Sequence, residues 1–193
     1  MRALMAIFLL VGLSACSTPG TLNYTPQQVG ELGPKAVAGV IVLDRRDEKP
    51  NRVATIRGGH GNPLKVLDTT EPVATVVQAV ITKALDQRQM LAAGGPYRFQ
   101  VTLNTLYGDQ FMGRKAELKM DLAVLDRTNQ TIYADTIAAE SYAFTFFDNG
   151  IFAGIEALRT VVEKLLSTSV EKMLDKPALR QALAAPPRVL LER

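Results

Sequence analysis

The chain of 193 residues has one cysteine, one histidine and no tryptophan. A lone cysteine excludes an intrachain disulfide. With a lone histidine beside it, a soft-metal site has nothing to use, because such sites draw on several thiolates or imidazoles. His-His catalytic pairs are excluded on the same count. Charge of one sign is lacking too: 22 Lys+Arg stand against 19 Asp+Glu, a net charge of +3, which gives no electrostatic case for a nucleic-acid partner. No run approaches the roughly 20 apolar residues that a membrane-spanning helix needs.

The motifs that suggest chemistry are each incomplete. Gly58-Gly59-His60-Gly61 invites a phosphate-loop reading, but such a loop feeds a helix N-terminus. Here Asn62-Pro63 and an extended stretch follow, without Gly-Lys-Ser/Thr, so the glycines read as a tight hairpin. His60 sits in that turn, where positional control of a general base is poor. Ser169-Val-Glu-Lys172 matches the Ser-x-x-Lys of penicillin-binding proteins, yet that chemistry needs an accessible Ser at a helix start and companion Ser-Asp-Asn and Lys-Thr-Gly motifs. This Ser falls deep in a long helix on its apolar stripe. No catalytic residue, cofactor or metal is expected, and the chain is not expected to be an enzyme.

What the chain does have begins at its N-terminus. Met1-Arg2 supplies a positive charge, Ala3 to Leu13 an apolar run of 11 residues, and Leu13-Ser14-Ala15-Cys16 closes it. Eleven residues suit the core of a signal peptide and are too few to span. Leu-Ser-Ala-Cys resembles the bacterial lipobox, in which the peptide is cut before the Cys and that Cys is acylated. The resemblance implies a signal peptide over residues 1–15 and lipidation, including palmitate, at Cys16. Removing residues 1–15 of 193 leaves 178, enough for one well-buried domain. Each buried acyl CH₂ contributes roughly 0.8 kcal/mol to membrane binding, so two or three chains hold stably. Ser17 in place of the aspartate that signals inner-membrane retention implies an outer-membrane destination, with the domain in the periplasm.

Residues 16–35 hold Pro19, Gly20, Pro26, Gly30, Gly33 and Pro34, which break regular structure. They read as a flexible tether reaching about 60 Å when extended. A single domain is expected over 36–185, with a tail at 186–193. Val37 to Leu43 reads as a buried strand, and Arg52–Arg57 and Pro63–Leu67 as two more around the glycine turn. Thr70 then caps a helix whose Val73, Val76, Val77, Val80, Ile81, Ala84 and Leu85 form one apolar stripe. Tyr97, Phe99, Val101 and Leu103 alternate with polar residues, as do Ala116, Leu118, Met120, Leu122 and Val124, which gives strands with one face on the core. A further strand runs from Thr131 to about Thr145. Asp148 caps a long helix with Ile151, Ile155, Leu158, Val162, Leu165, Leu166, Ser169 and Met173 inward, and Pro177 starts a short terminal helix. The expected fold class is α+β: a two-layer sandwich, a mainly antiparallel sheet of four to five strands with two helices on one face. The opposite sheet face is expected to be polar and open.

In this order the elements resemble the YajG-type family of bacterial lipoproteins, from the lipobox almost to the C-terminus. The likeness rests on Asp44-Arg45-Arg46 after the first strand, Leu106-Tyr107-Gly108-Asp109 after the alternation of residues 97–104, and the long helix after an aromatic strand end. It implies the fold and an envelope compartment, and brings no enzymatic activity. Similar lipid-tethered α+β domains include auxiliary lipoproteins of envelope lipid transporters and activators of peptidoglycan synthases, an analogy of fold that does not settle function. Asp44, Arg46, Tyr107 and Asp109 become candidates for an interaction surface. The run Asp44 to Lys49 reads equally as a solvated loop, or as a turn in which Asp44 accepts N–H bonds while Arg46 pairs across the sheet. Phe146 and Phe147 belong to a stretch, residues 142–152, that holds five of the chain's aromatics. Adjacent strand residues point to opposite sides, so one of the two is a candidate for an exposed contact.

Two functions from different classes follow. The first is a lipid-anchored, non-enzymatic accessory component that binds another envelope protein through the open sheet face or an edge strand. The second is a module for a lipid or peptidoglycan fragment, held in a groove lined by Val76, Val80, Phe152 and Ile155. Nucleic acid is not an expected partner.

Overall fold

The computed structural model describes residues 16–25, 32–111, 113–143 and 154–186. Its organiser is one long strand. Tyr97–Gln110 (β5) pairs antiparallel over its length with Arg114–Leu125 (β6), and β6 pairs antiparallel with Thr131–Ala143 (β7). The opposite edge of β5 is shared. Val37–Asp44 (β2) lies parallel to its first half, and Arg52–Arg57 (β3) lies parallel to its second half. Pro63–Thr69 (β4) returns antiparallel to β3, and Cys16–Gly20 (β1) adds parallel to β4. Among the described residues the sheet therefore has seven strands in the order β1-β4-β3-β5-β6-β7, with β2 beside β5.

This differs from the expected sheet of four to five mainly antiparallel strands. β2 and β3 are joined by a short loop, which suggests a hairpin. Instead both run with β5, in tandem, so the sheet is mixed. Hydrophobic alternation reports which face a residue takes and says nothing about strand direction, so the difference had no signature.

Among the described residues three helices complete the fold, where two were expected on the sheet: Val73–Gln87 (α1), Ile155–Leu174 (α2) and the short helix expected at Pro177, Pro177–Ala184 (α3). The stripes expected on α1 and α2 are buried at Val73, Val77, Val80, Ile81, Ala84 and Leu85, and at Ile155, Leu158, Val162, Leu165, Leu166, Ser169 and Met173. They meet the inward residues Phe99, Val101, Leu103, Leu106, Leu118, Met120 and Leu122 in one core. A bulge between Leu103 and Thr105 resets the alternation of β5, so that Leu106 and Gly108 also face inward. Thr70 does not cap α1. Pro72 holds the cap position, and the N–H of Val73 donates to the Pro50 carbonyl at 2.9 Å. Gly154 is the cap residue of α2, without a side-chain cap; Asp148 and Ile151 lie outside the described residues.

The leader also departs from a free tether. Besides β1, Leu22 and Tyr24 are each only 8 % exposed and join the core, and the Asn23 N–H donates to Glu163 on α2 at 2.9 Å. Among the described residues, 21–25 and 32–36 are neither helix nor strand, as the glycines and prolines around them suggest. The alternation Leu22/Tyr24, too short to stand out, was the signal that the segment docks.

Candidate interaction surface

The two motifs Asp44-Arg45-Arg46 and Leu106-Tyr107-Gly108-Asp109 meet in space, at the seam where β2 leaves the edge of β5 and β3 takes it over. The guanidinium of Arg46 fills that seam, its side chain 1 % exposed. Its Nη1 donates to the carbonyls of Arg52 at 2.8 Å and Leu106 at 3.4 Å, and its Nη2 to Pro50 at 3.0 Å. The Asp44 carboxylate takes Nε and Nη2 as a fork, at 2.9 and 2.8 Å, and also accepts the Arg46 backbone N–H at 3.1 Å. Burial works to raise the Asp44 carboxyl, but the hydrogen bonds and charge of Arg46 outweigh it and hold the pKa below its ordinary value. A break in strand pairing strands carbonyls that must find donors, and Arg46 supplies them. Of the alternatives for this run, the geometry matches Asp44 as an acceptor of turn N–H groups and Arg46 as the cross-sheet partner.

The second motif is built in alternation. Leu106 and Gly108 face the helices. A Cβ at Gly108 would stand 2.8 Å from Val162 Cγ2 and 3.2 Å from Leu158 Cδ1, so only glycine lets α2 lie this close. Tyr107 and Asp109 face the other way. Asp109 accepts from Arg57 Nε at 2.6 Å, and Arg57 Nη2 reaches the Tyr107 hydroxyl at 3.4 Å. Burial raises the Tyr107 pKa, and the hydrogen bond to Asp109 raises that of Arg57. Arg57 had no sequence signal, because its pairing depends on the parallel register of β3 with β5.

Beside this seam the outer face of the sheet forms a trough of about 520 Å³. Gln100, Thr102, Asp121, Ala123, Ala134 and Thr136 line it. Asp121 is held in place by Thr136 Oγ1 and Asn104 Nδ2, each donating at 2.7 Å, and these bonds keep its carboxyl below the usual range. By register, Ile41 lies beside Gln100 and Leu43 beside Thr102. Both are 41 % exposed, so an apolar rim borders the polar trough.

A smaller cavity of about 360 Å³ lies between the leader and α1, with Leu22, Tyr24, Val76, Val80 and Lys83 on its walls. Val76 and Val80 belong to the groove expected for a ligand. Ile155 is not on its walls, and Phe152 lies outside the described residues, as do Phe146 and Phe147. Lys83 Nζ sits 5.8 Å from the Tyr24 ring centroid. His60 is exposed in the turn after β3. Ser169 is buried while Lys172 is exposed. Among the described residues, no group of three His, Cys, Asp or Glu could hold a metal ion, and no helix is long and apolar enough to cross a membrane.

Comparison with known proteins supplies a family and a fold. No curated protein matches the chain. Among solved structures, the Xanthomonas campestris protein XCC0632 is similar at 13 % identity and a TM-score of 0.58, over 86 % of this chain and 96 % of its own. An uncharacterized protein is similar at 9 % identity and a TM-score of 0.53, over 83 % and 97 %. A putative lipoprotein from Caulobacter crescentus shares 17 % identity over 58 % of this chain and 84 % of its own, at a TM-score of 0.44. At these identities the first two establish the fold alone. A family model described as uncharacterized lipoprotein matches residues 27–184, nearly the whole folded part, in keeping with the likeness to YajG-type lipoproteins. The chain belongs to that uncharacterized lipoprotein family.

Proposed function

We propose that the protein is an outer-membrane lipoprotein, acylated at Cys16, whose periplasmic domain is a non-enzymatic binding component of an envelope assembly. One observation carries the binding reading: a polar trough with hydrogen-bonding groups held in place, rimmed by the half-exposed Ile41 and Leu43. Exposed apolar side chains flanked by polar groups mark a contact surface. The Ser169–Lys172 pair and His60 support a non-enzymatic role. The former is a buried hydroxyl late in a helix and the latter an exposed turn residue. The anchor starts at β1, whose end is paired to the sheet, so the domain sits close against the membrane instead of at the end of a long tether.

Two measurements test this. Cys16→Ala should move the protein out of the membrane fraction; retention there would refute the anchor. Leu43→Asp should leave folding intact and weaken in-cell capture of a partner protein, whereas unchanged capture would remove the trough from the contact. The cavity between the leader and α1 favours one second reading, a module for a lipid or peptidoglycan fragment, with Val76 and Val80 against an acyl or methyl surface and Lys83 at the mouth. Recovery of lipid or glycan, without protein, would favour it.

A further inference from the structure

β7 ends the sheet, and among the described residues no backbone group pairs with its outer edge. An open edge is a template for another strand, and natural proteins blunt it with lysine, proline, bulges or a covering element. The sequence of β7, TIYADTIAAESYA, holds neither lysine nor proline. The opposite edge strand, β1, carries Pro19.

A cavity of about 310 Å³ runs beside this edge, between β7 and α2. Consecutive residues 137 to 141 line it. Successive strand residues point to opposite faces, so a cavity touched by all five lies along the free edge and not on one face. Its floor is apolar at Ile137 and Leu165, both 7 % exposed. Thr168 and Ser169 add hydroxyls, and Lys164 and Lys172 stand exposed on the α2 side. Eight residues of helix separate the two lysines by about 12 Å. A five-residue strand extends about 17 Å, so both ammonium groups lie within the span of one added strand. Neither lysine has an ion-pair partner among the described residues. Among the described residues, Glu140 is the one carboxylate on the groove, and it faces Lys115 at 3.6 Å.

We propose that the edge of β7 and the lysine face of α2 together bind an extended acidic peptide segment of a partner protein by strand addition. The backbone edge supplies hydrogen bonds, the apolar floor seats an alternate side chain, and the lysines select acidic residues. This rests on the reading of the protein as a binding component and names the partner's chemistry.

The test uses the full acylated protein in detergent with fluorescent peptides: one alternating glutamate and valine, one with lysine for glutamate, and one with a central proline. The glutamate peptide should bind and slow amide exchange at residues 137–141, while the lysine and proline peptides should not bind. Lys164→Ala and Lys172→Ala should each weaken binding about threefold, as expected for exposed ion pairs. Both are surface changes that leave the fold in place. Equal binding of all three peptides, indifference to the lysine variants, or protection away from β7 would overturn the proposal. So would concentration-dependent protection of β7 without peptide, which would mean that a second copy takes the edge. If the peptides fail while crosslinking in cells still captures a protein, the binding reading survives and only this inference falls.

Discussion

Arg46 offers five N–H donors and meets five oxygens, two on Asp44 and three on the main chain. Removing a buried guanidinium so placed leaves a carboxylate and three carbonyls short of donors. Arg46→Ala is therefore expected to cost about 3 kcal/mol in urea unfolding, within the range for breaking a buried charge pair. Arg46→Lys should recover little, because an ammonium cannot span the fork. The acid partner gives a second test. The Asp44 carboxyl is depressed in the folded state from an unfolded value near 3.8, so its contribution is full above that value. It is lost as pH falls through the lower folded value. Stability should drop below about pH 4 in the native protein and less steeply in Asp44→Asn, as read by the pH dependence of the urea midpoint. At this scale the two sequence motifs do meet in space, with Asp44 and Arg46 at one side of the seam and Tyr107 and Asp109 at the other. The sequence could not say that Arg46 is spent on the chain's own carbonyls. That depends on a pairing break in the sheet, which leaves no trace in composition.

The long strand β5 and the helix α2 depend on each other at Gly108. Gly108→Ala places a methyl 2.8 Å from Val162 Cγ2, and is expected to destabilise by about 2 kcal/mol through overpacking. Combining it with Val162→Ala should cost less than the two single changes summed, because the second makes room for the first. The leader is the other element whose role changed. Leu22→Asp should release it from the core, exposing the backbone of residues 21–25 to protease while the rest of the domain resists. Equal protection in the variant would show that Leu22 does not hold the leader. Helices were legible here because Val73 to Leu85 and Ile155 to Met173 repeat with helical period over several turns. β5 and β6 were legible from alternation. Strand direction, the tandem placement of β2 and β3, and the addition of β1 were not, since each is fixed by backbone pairing between residues distant in sequence.

On the scale of the whole molecule, the described helices cover one face of the sheet and, among the described residues, leave the other open. The sequence holds a single cysteine, and with Cys16 acylated as proposed, any introduced thiol on that open face is unique. The apolar core is complete without the trough, so the fold does not require Ile41, Leu43 or the Asp121 network to be where they are. On the proposed function, the docked leader holds the domain near the bilayer and this face is presented to its neighbours there. The central claim is that a protein partner meets it there. Thr102→Cys at the centre of the outer face and Gln78→Cys on the exposed side of α1 provide the comparison, each treated in intact cells with a short thiol-to-amine crosslinker. The account predicts a discrete protein adduct from position 102 and none from position 78. Equal adducts from both positions, or lipid and glycan alone from position 102, would contradict it.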